Sequence, residues 1–270
     1  MAPLPSPYDS LPLGPAVDDL PAIRRIGTAA LWRALRLGWE DFSANPTQLV
    51  FLAIIYPVIG VVAAAAAAGR DMMPLIWPLL SGFALVGPVA ALGIYELSRR
   101  REQGLPVTWV HAFGVLRSPS ISSILALGVL LLAIFVVWLF TAQAIYDTTF
   151  AGVAPASGPD FVRQVLGTEA GWRLMLLGNG VGLLFAIVVL ALTVISFPLL
   201  LDRPVGAGVA MRTSLRAVVL NPGPMALWGL MVAVILAIAS IPLFVGLAVA
   251  VPVLGHATWH LYRAVVPRQG

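Results

Sequence analysis

The sequence predicts an all-α membrane protein with six transmembrane helices and three interfacial amphipathic helices, and three observations lead there. The first is composition. Of 270 residues, 60% are hydrophobic and 10% charged, with a mean hydropathy of +0.95, whereas a soluble domain is roughly 45–50% apolar and about 25% charged. Sixteen basic and 12 acidic groups cannot clothe a soluble fold of this length, so the excess apolar surface faces lipid. The second is the recurrence of apolar runs of about 20 residues, enough to cross a hydrocarbon core about 30 Å thick. The third is the segregation of arginine, the sole basic residue type apart from three histidines. Together these exclude a secreted or cytosolic enzyme and a nucleic-acid-binding domain. Cysteine is absent, which excludes disulfides, zinc–thiolate and iron–sulfur sites, and thiol nucleophiles.

Residues 1–21 hold six prolines, three aspartates and no basic residue. Without a basic n-region or a continuous apolar core the stretch is no signal peptide; it reads as a disordered Pro-rich cytoplasmic tail, leaving 22–266 as one integral membrane domain. The spans are expected at about 47–68, 72–97 (with Pro78 and Pro88 inside), 121–145, 174–201, 225–241 and 243–265. The last two divide one apolar stretch, 225–266, near Ser240-Ile241-Pro242; one span plus a re-entrant segment is the alternative division. With six spans and both termini inside, Arg24, Arg25, Arg33, Arg36, Arg99, Arg100, Arg101, Arg117, Arg203, Arg212, Arg216, Arg263 and Arg268 fall on the cytoplasmic side. Only Arg70, Arg163 and Arg173 fall outside, 13 against 3, as the positive-inside rule requires for a bacterial inner-membrane protein.

The segments before the odd-numbered spans look alike. In the first, Arg25, Ala29, Arg33, Arg36 and Glu40 share one face, apolar residues including Ile23, Ile26, Ala30 and Ala34 fill the rest, and Trp32 and Trp39 flank the stripe. This is the pattern of a helix lying among headgroups, arginines up and apolar groups down, ending at Asn45-Pro46. The second runs over 108–119, and the third from 207 through Arg212 and Arg216 to Asn221-Pro222. Anionic lipid headgroups are therefore the expected partner of Arg25, Trp32, Arg33, Arg36, Trp39, Arg212 and Arg216. In the even-numbered spans, Gly87-Pro88, Phe197-Pro198 and Val251-Pro252 each precede a polar group (Glu96, Asp202, or His256 with His260) by four or eight residues. The echo reads as three helical-hairpin repeats.

Few residues carry chemistry. His256 and His260 lie one helical turn apart, a spacing that suits a shared metal or a haem iron. No third ligand accompanies them, since the remaining histidine is His111, and hydrogen bonding near the headgroups is the favoured reading. Glu96 and Asp202 stand beside Arg99–Arg101 and Arg203 and read as local ion pairs, and Asp147 as solvated. Gly178-Asn179-Gly180-Val181-Gly182 lacks the strand and lysine of a phosphate loop. Gly178 and Gly182 instead have small-xxx-small spacing for close helix packing, with Asn179 expected to bond a neighbouring span. No charge lies deep within any expected span, which argues against a proton-driven carrier.

Gly38-Trp39-Glu40-Asp41-Phe42, Gly87-Pro88-Val89-Ala90-Ala91-Leu92-Gly93-Ile94-Tyr95-Glu96, Asn221-Pro222-Gly223-Pro224-Met225 and Val251-Pro252-Val253-Leu254-Gly255-His256-Ala257-Thr258-Trp259-His260 resemble an uncharacterised family of bacterial integral membrane proteins, domain of unknown function twenty-one eighty-nine. The likeness covers roughly residues 30–265. It implies a polytopic inner-membrane protein of proteobacterial type, with no established activity or catalytic residues. Members are sometimes labelled cytochrome c oxidase subunit I-like, yet that subunit has many more spans and metal-binding histidines than this chain. The expected function is non-enzymatic: a scaffold, assembly or envelope factor without a cofactor, meeting a membrane-protein partner or a second copy of itself. The alternative is a permease or channel for a small neutral solute or lipid, whose mark is a solvated pocket lined by Asn179, Thr193 and Ser196. A haem or metal protein using His256 and His260 is the weaker alternative.

Overall fold

A computed structural model describes residues 20–45, 60, 74–151, 155–242 and 245–268. The expected tail and, apart from Gly60, the expected first span 47–68 lie outside the described residues. Those described are helical with short connections: α1 (Thr28–Ala44), α2 (Ile76–Ala90), α3 (Leu92–Glu102), a 3₁₀ helix (Trp109–Arg117), α4 (Ile121–Phe150), α5 (Gly158–Gly167), α6 (Glu169–Thr193), α7 (Ser196–Asp202), α8 (Ala207–Leu220), α9 (Pro222–Ser240) and α10 (Leu247–Val265).

Among the described residues, three helical stretches are long and apolar enough to cross a membrane: Ile121–Phe150, Glu169–Asp202 and Pro222–Ser240. They are apolar nearly all round. Of the most apolar 18 residues in α4 and in α9, only 22% and 11% are buried, while Phe140, Leu176 and Ile238 stand largely exposed. In water such faces would each cost about 1.5–3 kcal/mol per large side chain; against lipid tails they cost nothing. The molecule is thus an all-helical integral membrane protein.

Proline marks the other crossings. The expected span 72–97 is divided at Ala91 into α2 and α3, three residues past Pro88. Likewise α6 gives way to α7 at Val194–Ile195, four residues before Pro198. The Ile195 N–H released by that break donates to Ser214 Oγ of α8 at 3.3 Å. In α10, Pro252 sits inside a continuous helix.

Two packing centres hold the bundle. In the first, the Trp138 indole of α4 donates to the Pro78 carbonyl of α2 at 2.9 Å, and its ring packs on Phe185 of α6 at 5.5 Å. The second joins α1, α3, α7, α8, α9 and α10, where Leu31, Ile94, Phe197, Trp228, Trp259 and Tyr262 are fully buried. Here the structure departs from expectation. The buried side of α1 (Leu31, Ala34, Gly38, Asp41, Phe42) faces protein rather than lipid. At Gly38 an added Cβ would lie 2.7 Å from both Ala257 N and Val253 O of α10. The helix that composition places flat on the bilayer is docked onto its own chain. Asn221, buried, fixes the approach: its Oδ1 accepts from Ile26 N–H at 2.8 Å and its Nδ2 donates to Arg24 O at 3.2 Å.

Candidate functional site: a charged hub at the helix ends

Four helices deliver polar groups to one end of this second core. Asp41 comes from the last turn of α1, Ser98 to Glu102 from the last turns of α3, Asp202 from the end of α7, and His256 to Arg263 from α10. Arg99, Arg100 and Arg101 close α3, where cations offset the negative end of the helix dipole.

Asp41 is 7% exposed and its carboxylate is fully used. Ser98 Oγ donates to Oδ2 at 3.1 Å, His260 Nε2 lies 2.9 Å from the same oxygen, and Arg101 Nε lies 3.0 Å from Oδ1. Ser98 Oγ also lies 2.6 Å from His256 Nδ1. A hydroxyl has one hydrogen and an ionised carboxylate only accepts. With the Ser98 hydrogen directed at Asp41, His256 must therefore carry its hydrogen on Nδ1 to complete the second bond. Burial pushes the Asp41 carboxyl upward, but the His260 hydrogen bond and the charges of His260, His256 and Arg101 outweigh it, so its pKa lies below the ordinary 3.8. Ser98 and His256 are each 1% exposed.

A second group adjoins the first. Arg263 donates through Nη1 and Nη2 to Asp202 at 2.7 and 2.6 Å, and through Nε to Glu102 Oε2 at 2.9 Å. Tyr262 OH donates to Asp202 Oδ2 at 2.5 Å, Trp259 Nε1 to Glu102 Oε2 at 3.0 Å, and Arg268 Nε to Glu102 Oε1 at 2.8 Å. The Arg263 guanidinium also lies over the Trp259 ring, 4.8 Å from its centroid. Burial raises the Glu102 pKa, and the hydrogen bonds from Arg268, Arg263 and Trp259 with the Arg263 charge more than reverse it, leaving it below 4.5. Between the groups lies a cavity of ≈340 Å³ lined by Asp41, Ser98, Arg101, Glu102, His260, Arg263 and Arg268.

The residues singled out from sequence are placed as follows. His256 and His260 meet in this hub, with their rings turned to Ser98 and Asp41. Among the described residues no group of three or more His, Cys, Asp or Glu is arranged to hold a metal ion, and His111 bonds Thr108 instead. Glu96 pairs with Arg99 at 2.8 Å and Asp202 reaches past Arg203 to α10. Arg25, Trp32, Arg33, Arg36, Trp39, Arg212 and Arg216 are exposed. Gly182 lies under the Trp138 ring, where a Cβ would come within 3.1 Å, whereas Gly178 faces open space. Asn179 bonds its own helix at Met175 O, 2.8 Å away, not a neighbouring span. Thr193 and Ser196, both buried, likewise bond Val189 O and Leu192 O of their own helical run. Asn179 lines a different, apolar cavity of ≈360 Å³ with Trp77, Trp138, Tyr146 and Phe161.

Asp41, Ser98 and Glu102 were not legible as partners of the histidines. One signal was available for Asp41: it falls three, seven and ten residues after Gly38, Ala34 and Leu31, so it is a lone carboxylate in the buried stripe of α1.

Helices apolar on their outer faces, with charges gathered and mutually neutralised at helix ends, define an integral membrane protein whose ionisable groups tie helices together. Residues 76–202 match the family described as predicted integral membrane protein, domain of unknown function 2189. That is the family the motifs resemble, and Gly87–Glu96 is the one of the four quoted stretches lying inside the matched segment. No curated protein and no solved structure matches this chain.

Proposed function

We propose that the chain is a six-span protein of the bacterial inner membrane, with both termini cytoplasmic, that acts without catalysis as a scaffold or assembly factor. The observation that carries this reading is the hub itself. Asp41, Glu102 and Asp202 each bind groups from other helices, and the buried hydroxyls Thr193 and Ser196 bond backbone carbonyls, so these polar groups serve architecture rather than turnover. The alternation of helices supports the topology. The ends of α3, α7 and α10 share the hub, and Ser120, at the start of α4, reaches Arg203 O at 3.4 Å. Two measurements test the proposal. Since the chain has no cysteine, Gln103→Cys and Val162→Cys report sidedness directly. A membrane-impermeant maleimide should label the second on intact spheroplasts and the first only after permeabilisation; the reverse pattern refutes the topology. Native mass spectrometry from mild detergent should show a stoichiometric protein partner or a homo-oligomer. A partner-free monomer that carries a neutral solute across proteoliposomes refutes the scaffold role.

A second reading draws on the apolar cavity beside Asn179. Four aromatic rings and one amide suit an acyl chain or a small apolar solute, and saturable uptake abolished by Asn179→Leu would favour it.

A further inference from the structure

We infer that the cavity between Asp41, Glu102 and the arginines is a binding site for a phosphate group. The inference deepens the proposed topology, which places the hub among lipid headgroups. The argument rests on which hydrogen-bonding capacity is left over. On the acceptor side little remains. Asp41 Oδ1 has Arg101 and Oδ2 has Ser98 and His260; Glu102 Oε1 has Arg268 and Oε2 has both Trp259 and Arg263. On the donor side much remains. Arg101 is engaged only through Nε, so both of its Nη groups lack a partner among the described residues. Arg268 uses Nε and Nη2 on Glu102 and leaves Nη1. Arg263 is fully committed to Asp202 and Glu102.

A cavity whose unmet capacity is almost entirely N–H takes an oxyanion, not a cation. Three guanidinium groups line it beside the carboxylates of Asp41 and Glu102, and Asp202 balances Arg263, so the preference for an anion rests on the free N–H groups rather than on net charge. The paired Nη groups of one arginine match two oxygens of a phosphate in the bidentate manner that a lysine ammonium cannot reproduce. Arg101 and Arg268 are 38% and 66% exposed, so the site can be entered, while Asp41 Oδ1 lies 3.0 Å from Arg101 Nε. Basic pockets among spans at the cytoplasmic face are where lipid phosphates are found. The shared chemistry is a phosphate anion, supplied by a phospholipid headgroup or by free phosphate.

The test uses the full chain, delipidated in a neutral detergent, and follows Trp fluorescence and melting temperature while phosphatidylglycerol, diacylglycerol or inorganic phosphate is added. Wild type should respond saturably to phosphatidylglycerol or to inorganic phosphate. Arg268→Gln, an exposed change that leaves the buried core intact, should weaken that response about tenfold, the scale of one charge-assisted bond. Arg101→Gln should weaken it further and Arg101→Lys should recover only part. A response to phosphatidylglycerol alone assigns the source to lipid, and one to inorganic phosphate assigns it to the free ion. Wild type indifferent to both, equal responses to phosphatidylglycerol and to diacylglycerol, which has no phosphate, or an Arg268→Gln protein that binds as wild type does, would each overturn the inference. Because binding is read in detergent, its failure says nothing about sidedness, which the cysteine labelling decides separately.

Discussion

Gly38→Ala separates a helix docked on protein from one floating among headgroups. In an exposed helix interior the change is favourable by about 1 kcal/mol, so a surface-lying α1 gains from it. In this structure the new methyl would sit 2.7 Å from Ala257 N, 2.7 Å from Val253 O and 2.8 Å from Ala257 Cβ. Two of these are backbone atoms of α10 and cannot rotate away. Restoring ordinary contact requires α1 to retreat by roughly 0.7 Å, and a gap of about that size forfeits a quarter to a half of each dispersion contact along the interface. Overpacking of this kind costs about 1–3 kcal/mol, and immovable neighbours place it at the upper end. Less the helix gain, the net loss is about 2 kcal/mol. The movement would also stretch the Asp41–His260 contact. The assay is thermal unfolding of the purified protein in mild detergent, with Gly178→Ala as control because nothing lies within 4 Å of its Cβ position. Gly38→Ala should melt several degrees lower and Gly178→Ala no lower than wild type. Equal or increased stability for Gly38→Ala would refute the docking of α1 on α10.

Other expectations follow from the same contacts. Asn221→Ala removes the ties to Arg24 and Ile26 and leaves a buried backbone N–H without its acceptor, a loss of about 1–3 kcal/mol, read as faster hydrogen exchange at Ile26. Trp138→Phe loses the bond to Pro78 O, which Ser81 Oγ still satisfies, and the ring atoms packed over Gly182, so it should cost about 1–3 kcal/mol; an unchanged melting temperature would show that the indole holds neither contact. The depressed pKa values of Asp41 and Glu102 make their contribution complete above the ordinary values of 3.8 and 4.5 and lost as pH falls through the lower, folded ones. Their share of the melting temperature should therefore be constant above about pH 5 and be lost below about pH 4, read as the difference between wild type and Asp41→Asn, which should narrow over that range. An unchanged acid profile in the variant would remove Asp41 from the account.

By itself the sequence determined what depends on periodicity and composition. The lipid-facing character of Ile121–Phe150 and Pro222–Ser240 follows from runs with no polar face, whatever they pack against. The interruption ahead of Pro198 follows from a missing donor, and the exposure of Arg33, Arg36, Trp32 and Trp39 from one stripe of a helical repeat. The partner of a face is another matter. The buried stripe of α1 reads the same whether lipid or protein covers it, and only the approach of Ala257 and Val253 to Gly38 distinguishes the two. His256 and His260 announced a shared face but not what lies opposite. Their neighbours Asp41 and Ser98 stand more than 150 residues away along the chain, and no local pattern encodes a contact at that separation. Local physics fixed which surfaces are oily and where helices bend; the chain's return upon itself decided which charges meet.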